Sequence, residues 1–276
     1  MKKFQRIIAF SVIIASFTAA SLCVAAEKKV FRVGMECASA PYNWSQPDPG
    51  EGTVQIAGSS EYAYGYDIII AQKLADAMGV ELEVHKIEWE GLPPAVVSGK
   101  IDAAMSAMSI TEQRKLTVDF TLPYYYANVV GVVRRNSPQA KATCVADLRG
   151  SKATSQINTI WYDKVDQIPD VKKLPPLADF PSLFVALKSG KCDVVIVDEP
   201  CAMGGEYANP ELMMLDLPAD KGFKASREDV EIGIAVQKGN TELVEAMNKV
   251  LGKMTDADFK AIMEEAIKRQ PLTQVN

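Results

Sequence analysis

Two rhythms of apolar and polar positions take turns along the chain. Short runs such as VFRVGM (30–35) and ELEVHKI (81–87) have the length and β-branched content of strands. Between them, GYDIIIAQKLADAMG sets Ile69, Ile70, Leu74 and Met78 at helical spacing, with Gly79 where a C-terminal cap belongs. A helix follows around Pro93 to Ser98, with both prolines confined to its first turn, because a proline ring deeper in a helix removes a backbone hydrogen bond. Next come a strand in IDAAMSAM, a helical turn in TEQRKL and a β-rich run, ANVVGVVRR. A second series then repeats the alternation: ADLRG, KATSQ, a helix near TIWYDKV, the amphipathic PSLFVALK, and strands in CDVVIV, ELMMLDL and EDVEIGIAVQKG (228–239). Two helices, NTELVEAMNKVLGKM and TDADFKAIMEEAIKR, close the chain, with Asn240 and Thr255 as N-caps. Strands alternating with helices of this length predict βαβ units, an α/β fold and a largely parallel sheet.

The two series echo each other. SGKIDAAMSAM starts at Ser98 and SGKCDVVIVDE at Ser189; each follows an amphipathic stretch and runs from Gly-Lys-x-Asp into apolar residues. A helix, a glycine stop, a buried strand and a polar residue at the strand's end therefore occur twice, which predicts two α/β lobes built alike. In open α/β sheets ligands gather at the carboxyl ends of strands. If the lobes face one another, SAMS and VDE line one cleft.

The first 26 residues stand apart. Lys2, Lys3 and Arg6 precede a short apolar core, Ile7 to Phe17, and small residues precede Glu27: the pattern of a secretory signal peptide. The apolar run falls short of the roughly 20 residues a membrane span needs. Cys23 raises lipid anchoring, against which the bulky Leu22 before it counts, so a soluble exported protein is expected. The remaining chain of roughly 250 residues is long enough for one large domain or two ordinary ones. The net charge is −5, and more acidic once the leader's three cations are gone; with no basic cluster, nucleic-acid binding is not expected. Cys37, Cys144, Cys192 and Cys201 allow three disulfide pairings in an oxidising compartment and favour none. No CxxC or CxH spacing suggests a metal, and the single histidine, His85, sits in an alternating strand pattern rather than among ligands.

SAMSITEQR (106–114) is the richest stretch chemically. Ser106 and Ser109 offer hydroxyls, and Arg114 offers a planar fork that matches a carboxylate in bidentate fashion. Asp198 ends the apolar run CDVVIV, where a carboxylate needs a cation or several donors to stay charged. Each residue has an ordinary reading as well: Arg114 as a solvated surface charge, Asp198 as a helix N-cap ahead of Glu199 and Pro200. Together, a cation on one lobe and an anion on the other suit a zwitterion.

The chain resembles the amino-acid-binding family (family 3) of extracellular solute-binding proteins that serve ABC importers. The residues that carry the likeness are GYDIIIAQKLADAMG, WEGLPPAVVSGKIDAAMSAMSITEQR, VDFTLPYYY, DLRGSKATSQINT, SGKCDVVIVDE and IGIAVQKGNTEL, in family order over nearly the whole mature chain. The resemblance implies a two-lobed periplasmic-binding-protein-like (type II) clamp: lobe 1 from 27–123 and 233–276, hinge strands at 124–128 and 228–232, lobe 2 from 129–227. It implies that Arg114 takes a ligand α-carboxylate and Asp198 the α-ammonium, with the Ala107 carbonyl and Ser109 hydroxyl and N–H assisting. In lobe 2 the family's Gly-Thr or Gly-Ser pair becomes QINT, so Thr159 is the expected contact, while Ile157 in place of glycine puts the loop's geometry in question. Trp89 matches an aromatic that stacks on the ligand side chain, with a core Trp as the ordinary alternative. Glu36 falls where relatives place an acid that reads the ligand's distal group, which favours a polar or cationic amino acid; otherwise it is a loop charge. Ser39 replaces a second stacking aromatic, and Tyr42 or Trp44 could fill the gap.

Three functions compete. A binding protein would capture an extracellular amino acid and deliver it to a membrane permease, as a monomer and without a cofactor. An enzyme on the same fold, a dehydratase acting on prephenate or arogenate, would need a general acid–base group over the substrate; Glu36 and Glu199 are the only cleft candidates, and no Ser-His-Asp set, HExxH or Gly-rich phosphate loop is present. A sensor would need a signalling segment fused or supplied in trans. The expectation is a non-enzymatic importer component, periplasmic or extracellular.

Overall fold

A computed structural model describes residues 29–271. The expected leader and Cys23 lie outside the described residues. The architecture is mixed α/β, with two five-stranded sheets of matching layout. In the first, the strands run in the order 81–86, 30–35, 103–104, 235–237, 118–120. In the second they run 172–173, 152–154, 194–198, 129–134, 212–214.

Neither sheet is largely parallel, and this corrects the expectation from alternation. In each, the second strand is parallel to the first and third, and the fourth is antiparallel to the third and fifth. Parallel pairs follow from helical crossovers. The antiparallel fourth strand of each sheet is delivered instead by chain arriving from the other half, which local periodicity does not register.

The echo is the same construction made twice. Ser98 and Ser189 end their helices with hydroxyls donating to the Ala95 and Ala186 carbonyls, at 3.2 and 3.1 Å. Gly99 and Gly190 then turn the chain at φ 71° and 74°, a left-handed conformation that costs glycine little. Asp102 accepts from the Arg32 N–H at 2.8 Å and Asp193 from the Lys152 N–H at 2.9 Å, so each aspartate clips its strand to the parallel neighbour. Both strands occupy the centre of their sheets.

Local expectations hold with adjustments. Helix Tyr66–Met78 ends at Gly79, but it buries Ile68, Ile70, Ala71, Leu74 and Ala75, leaving Ile69 and Met78 half-buried. The strand expected in IDAAMSAM shortens to Ala103–Ala104. The strand expected over 228–239 begins as a helical turn, Arg227–Val230, capped by Ser226, followed by Glu231–Ile232 and Ala235–Gln237. The loop after Met35 carries a small antiparallel four-stranded sheet over 38–64. The closing helices, Thr241–Leu251 and Asp256–Arg269, are capped by the Asn240 and Thr255 side chains. The chain passes between the two large sheets twice, and there Tyr125–Tyr126 pairs antiparallel with Glu231–Ile232. The four cysteines of the described residues are free thiols. Among those residues no helix is long and apolar enough to cross a membrane.

Gly65 starts the first long helix where backbones nearly touch. With φ at 131°, a Cβ added there would lie 2.4 Å from the Tyr42 carbonyl oxygen. That approach lets the Tyr66 and Asp67 N–H groups donate to the Pro41 and Tyr42 carbonyls, at 3.1 and 2.8 Å. Gly65→Ala should therefore cost about 2–4 kcal/mol, lowering the melting temperature by roughly 4–16 °C. An unchanged melt would remove this contact from the account.

Candidate functional site

Asp198 is the last residue of strand 194–198 and the N-cap of helix Glu199–Ala208. Its Oδ1 accepts from the Cys201 N–H at 2.9 Å, so the ordinary N-cap reading is correct. Its Oδ2, however, is buried with no hydrogen-bond partner among the described residues. Burial raises this carboxyl from its ordinary value of 3.8 to about 6. Beside it the fully buried Tyr42 hydroxyl is also unpartnered, and the negative charge of Asp198 adds to the burial that raises that phenol. A carboxylate kept dry with an empty oxygen lacks a donor.

Arg114 has the opposite deficit. It sits in the turn Glu112–Lys115, whose N-cap is Thr111. Its Nη1 donates to the Ser109 carbonyl at 2.9 Å and its Nη2 to the Asn158 carbonyl at 3.2 Å, while the guanidinium lies 5.4 Å from the Trp89 ring centroid. No carboxylate among the described residues forms an ion pair with it. Desolvation alone lowers it, to about 10, so at neutral pH it keeps a charge that nothing offsets.

Glu36 is buried at the end of strand 30–35 and is no exposed loop charge. Its Oε2 accepts from the Ser39 hydroxyl at 2.6 Å and its Oε1 from the Gln156 amide at 2.9 Å. Burial first, opposed by those two donors, pushes it up to about 7. Because Gln156 follows strand 152–154, this bond joins the two halves across the cleft. Asn158 adds two more crossings, donating to Glu90 Oε1 at 2.5 Å and accepting from Arg114. The halves are thus in direct contact, as in a closed clamp.

Among the described residues, three of the four non-glycine residues with positive φ fall here: Cys37 at 55°, Ala107 at 52° and Asn158 at 55°. Strain of this kind collects where surrounding structure over-determines it. It also answers the question about QINT: the left-handed position is Asn158, whose residue type tolerates it, and Ile157 is not strained. Thr159 is buried with its hydroxyl donating to the Gln156 carbonyl at 2.8 Å. Trp89 is buried in the apolar cluster with Leu92, Ile101 and Met108, with Arg114 facing its ring, so it combines core packing with proximity to the site. Ser109 and Ser39 are buried, and Ala107 is half-buried. Of the two aromatics offered for the gap at Ser39, Tyr42 lies near Asp198 with its ring 6.1 Å from that of Tyr125, whereas Trp44 packs on Tyr64. Among the described residues the His85 ring pairs with Glu83, at 2.7 Å.

The predicted ligand contacts are spread out rather than gathered in one surface concavity. A space of about 840 Å³ beside strand 129–134 and residues 214–230 includes Glu199 but neither Arg114 nor Asp198. One of about 620 Å³ is lined by Arg114, Thr111, Asn158 and Thr159. Unpartnered charges mark a site more specifically than volume does, and they lie at the buried Asp198 and the half-buried Arg114. Sequence reasoning passed over Gln156, Asn43, Tyr124 and Asp67. The available signal was Asp67 itself, a carboxylate set in the otherwise apolar opening of GYDIII.

Residues 31–268 match the family described as bacterial extracellular solute-binding proteins, family 3. The chain is 26% identical over 240 residues to the L-cystine-binding protein TcyJ of Escherichia coli (strain K12), covering 87% of this chain and 83% of that protein. It superposes with a TM-score of 0.72 and 28% identity on the amino acid ABC transporter substrate-binding protein AbpA of Streptococcus pneumoniae bound to L-arginine, covering 87% and 94% of the two chains. With a TM-score of 0.70 and 26% identity it also matches the ancestral amino-acid-binding protein AncCDT-1, a precursor of cyclohexadienyl dehydratase, over 86% and 95%.

Proposed function

Since the chain belongs to family 3 of the bacterial extracellular solute-binding proteins, we propose that it captures a free L-amino acid and hands it to the permease of an ABC importer. The observation that carries this reading is the pair of opposite deficits: a desolvated guanidinium without an anion and a buried carboxylate oxygen without a donor. A zwitterion completes both. Its α-carboxylate meets Arg114, with the Ser109 and Thr159 groups alongside; its ammonium meets Asp198 Oδ2 and the Ala107 carbonyl. A few charge-assisted hydrogen bonds at about 1.5–3 kcal/mol each reach the roughly 8 kcal/mol of micromolar affinity. The ligand's distal group points toward Glu36, which favours a polar or cationic side chain. The paired strands at 125–126 and 231–232 act as the hinge between lobe 1 (27–123 and 233–276) and lobe 2 (129–227). The protein works as a monomer in the periplasm or outside the cell, without catalysis.

The test is a thermal-shift screen of the chain from Glu27 onward, stripped of carried-over ligand, against the twenty amino acids, ornithine, citrulline and prephenate. A ligand at 100 times its Kd adds about 2.7 kcal/mol. Shifts confined to arginine, lysine, ornithine, glutamine or citrulline support the reading, and Glu36→Gln should then change which of them is preferred while binding persists. Shifts with only apolar or acidic amino acids keep the clamp and remove the role of Glu36. The enzyme reading has two points in its favour, the likeness to AncCDT-1 and a Glu36 held at about 7, near the range of a general acid. Prephenate turnover without any amino-acid shift would establish it instead.

A further inference from the structure

Asp67 is fully buried in the first turn of helix 66–78 and takes no part in the contacts just assigned. Its two oxygens lead in two directions. Oδ2 accepts from the Asn43 amide at 2.6 Å, and Asn43 in turn accepts from the Cys37 N–H at 2.7 Å. Oδ1 accepts from the Tyr124 hydroxyl at 2.6 Å, and that hydroxyl faces the backbone N–H of Ala107. Both branches thus end on left-handed residues, at φ 55° and 52°. One adjoins Glu36, and the other carries the carbonyl proposed to meet the ligand ammonium. Their strained backbones need an external support, and this carboxylate reaches both.

We propose that Asp67 is a positioning residue for the ligand site, bracing Cys37 through Asn43 and Ala107 through Tyr124; this rests on the amino-acid-binding reading. The chemistry explains the choice of residue. Two donors converge on position 67, where a carboxylate offers an acceptor on each oxygen and an amide offers one acceptor alone. An asparagine of the same shape presents one acceptor and one donor, so if its oxygen keeps the Asn43 amide its own amide faces the Tyr124 hydroxyl, whose proton is left without an acceptor. Exchanging the two side chains repairs it. With Asp at 43 and Asn at 67, position 67 accepts from Tyr124 and donates to position 43, which still accepts from Cys37.

The experiment compares wild type, Asp67→Asn and the double variant Asn43→Asp/Asp67→Asn. Calorimetry with the amino acid found in the screen gives affinity, and amide hydrogen exchange without ligand reports on Cys37 and Ala107. Asp67→Asn should weaken affinity about tenfold or more and speed exchange at Cys37 or Ala107, while the double variant should recover most of both. A folded Asp67→Asn protein with wild-type affinity, or a double variant no better than the single, overturns the proposal. If wild type binds no amino acid, it is the functional reading that fails. The exchange data still decide the brace: acceleration at Cys37 or Ala107, reversed by the exchange of side chains, upholds it, and unchanged protection refutes it.

Discussion

Arg114→Ala should abolish binding of every amino acid alike while leaving the fold at least as stable. Truncating one partner of a buried, hydrogen-bonded charge pair costs about 2–5 kcal/mol, or roughly 30-fold to several-thousand-fold in Kd. The unliganded protein behaves differently, because there Arg114 has no anion to lose. Its removal sacrifices two bonds to carbonyls and the contact with Trp89, and relieves an uncompensated desolvated charge. Calorimetry with the preferred ligand and a melt without it separate the two effects. Wild-type affinity in this variant would mean that the carboxylate binds elsewhere.

Asp198→Asn tests the other end of the ligand. Asparagine caps a helix about as well as aspartate, so helix 199–208 should keep its start while the charge disappears. Affinity should fall by a similar 30-fold or more, and the melting temperature of the unliganded protein should rise. The sign follows from linkage. Asp198 is raised from 3.8 to about 6 in the fold, so between those values the native state holds more protons than the unfolded one. Stability without ligand therefore falls as pH rises from about 4 to 6, by up to about 3 kcal/mol from this group. Glu36 and Asp67, each raised by burial to about 7, add to the same slope and extend it upward. A bound ammonium favours the ionised form of Asp198, so affinity should instead strengthen as pH rises through 6. From pH 5 to 7.5 the unliganded melt should fall more steeply than the liganded one, so the ligand-induced shift grows with pH, and Asp198→Asn should remove that difference. Parallel slopes would deny Asp198 its role.

Features that depend on neighbours in sequence were legible before the structure. Gly79 ends its helix, Asn240 and Thr255 cap theirs, and the echo at Ser98 and Ser189 became matching central strands. Asp198 was read two ways, and its two oxygens make the capping half visible while leaving the other free. What escaped depended on distant chain. The antiparallel strands 129–134 and 235–237 take their places through pairing with segments far away, so alternation alone points to a largely parallel sheet. Asp67 resembled the ordinary acidic residue of a helix's first turn, because Asn43 and Tyr124 become its partners only on folding. Gln156 was hidden for the same reason, since its partner Glu36 belongs to the other half.

The unequal wiring of the two sheets also sets an order of assembly. Every strand of the second sheet lies between Val129 and Met214, an unbroken stretch that can close as soon as it is complete. The first sheet cannot, because its fourth strand, Ala235–Gln237, lies between Ala103–Ala104 and Val118–Phe120 and emerges long after them. Closing that loop incurs the entropic cost of a distant contact, and non-local pairings of this kind form late. Until residue 237 is available, two strands of the first half keep open edges that invite pairing with other chains. The half that carries Arg114 and Glu36 is thus the last to mature, and a chain cut short before it should fail there, by aggregation, while its second half remains folded.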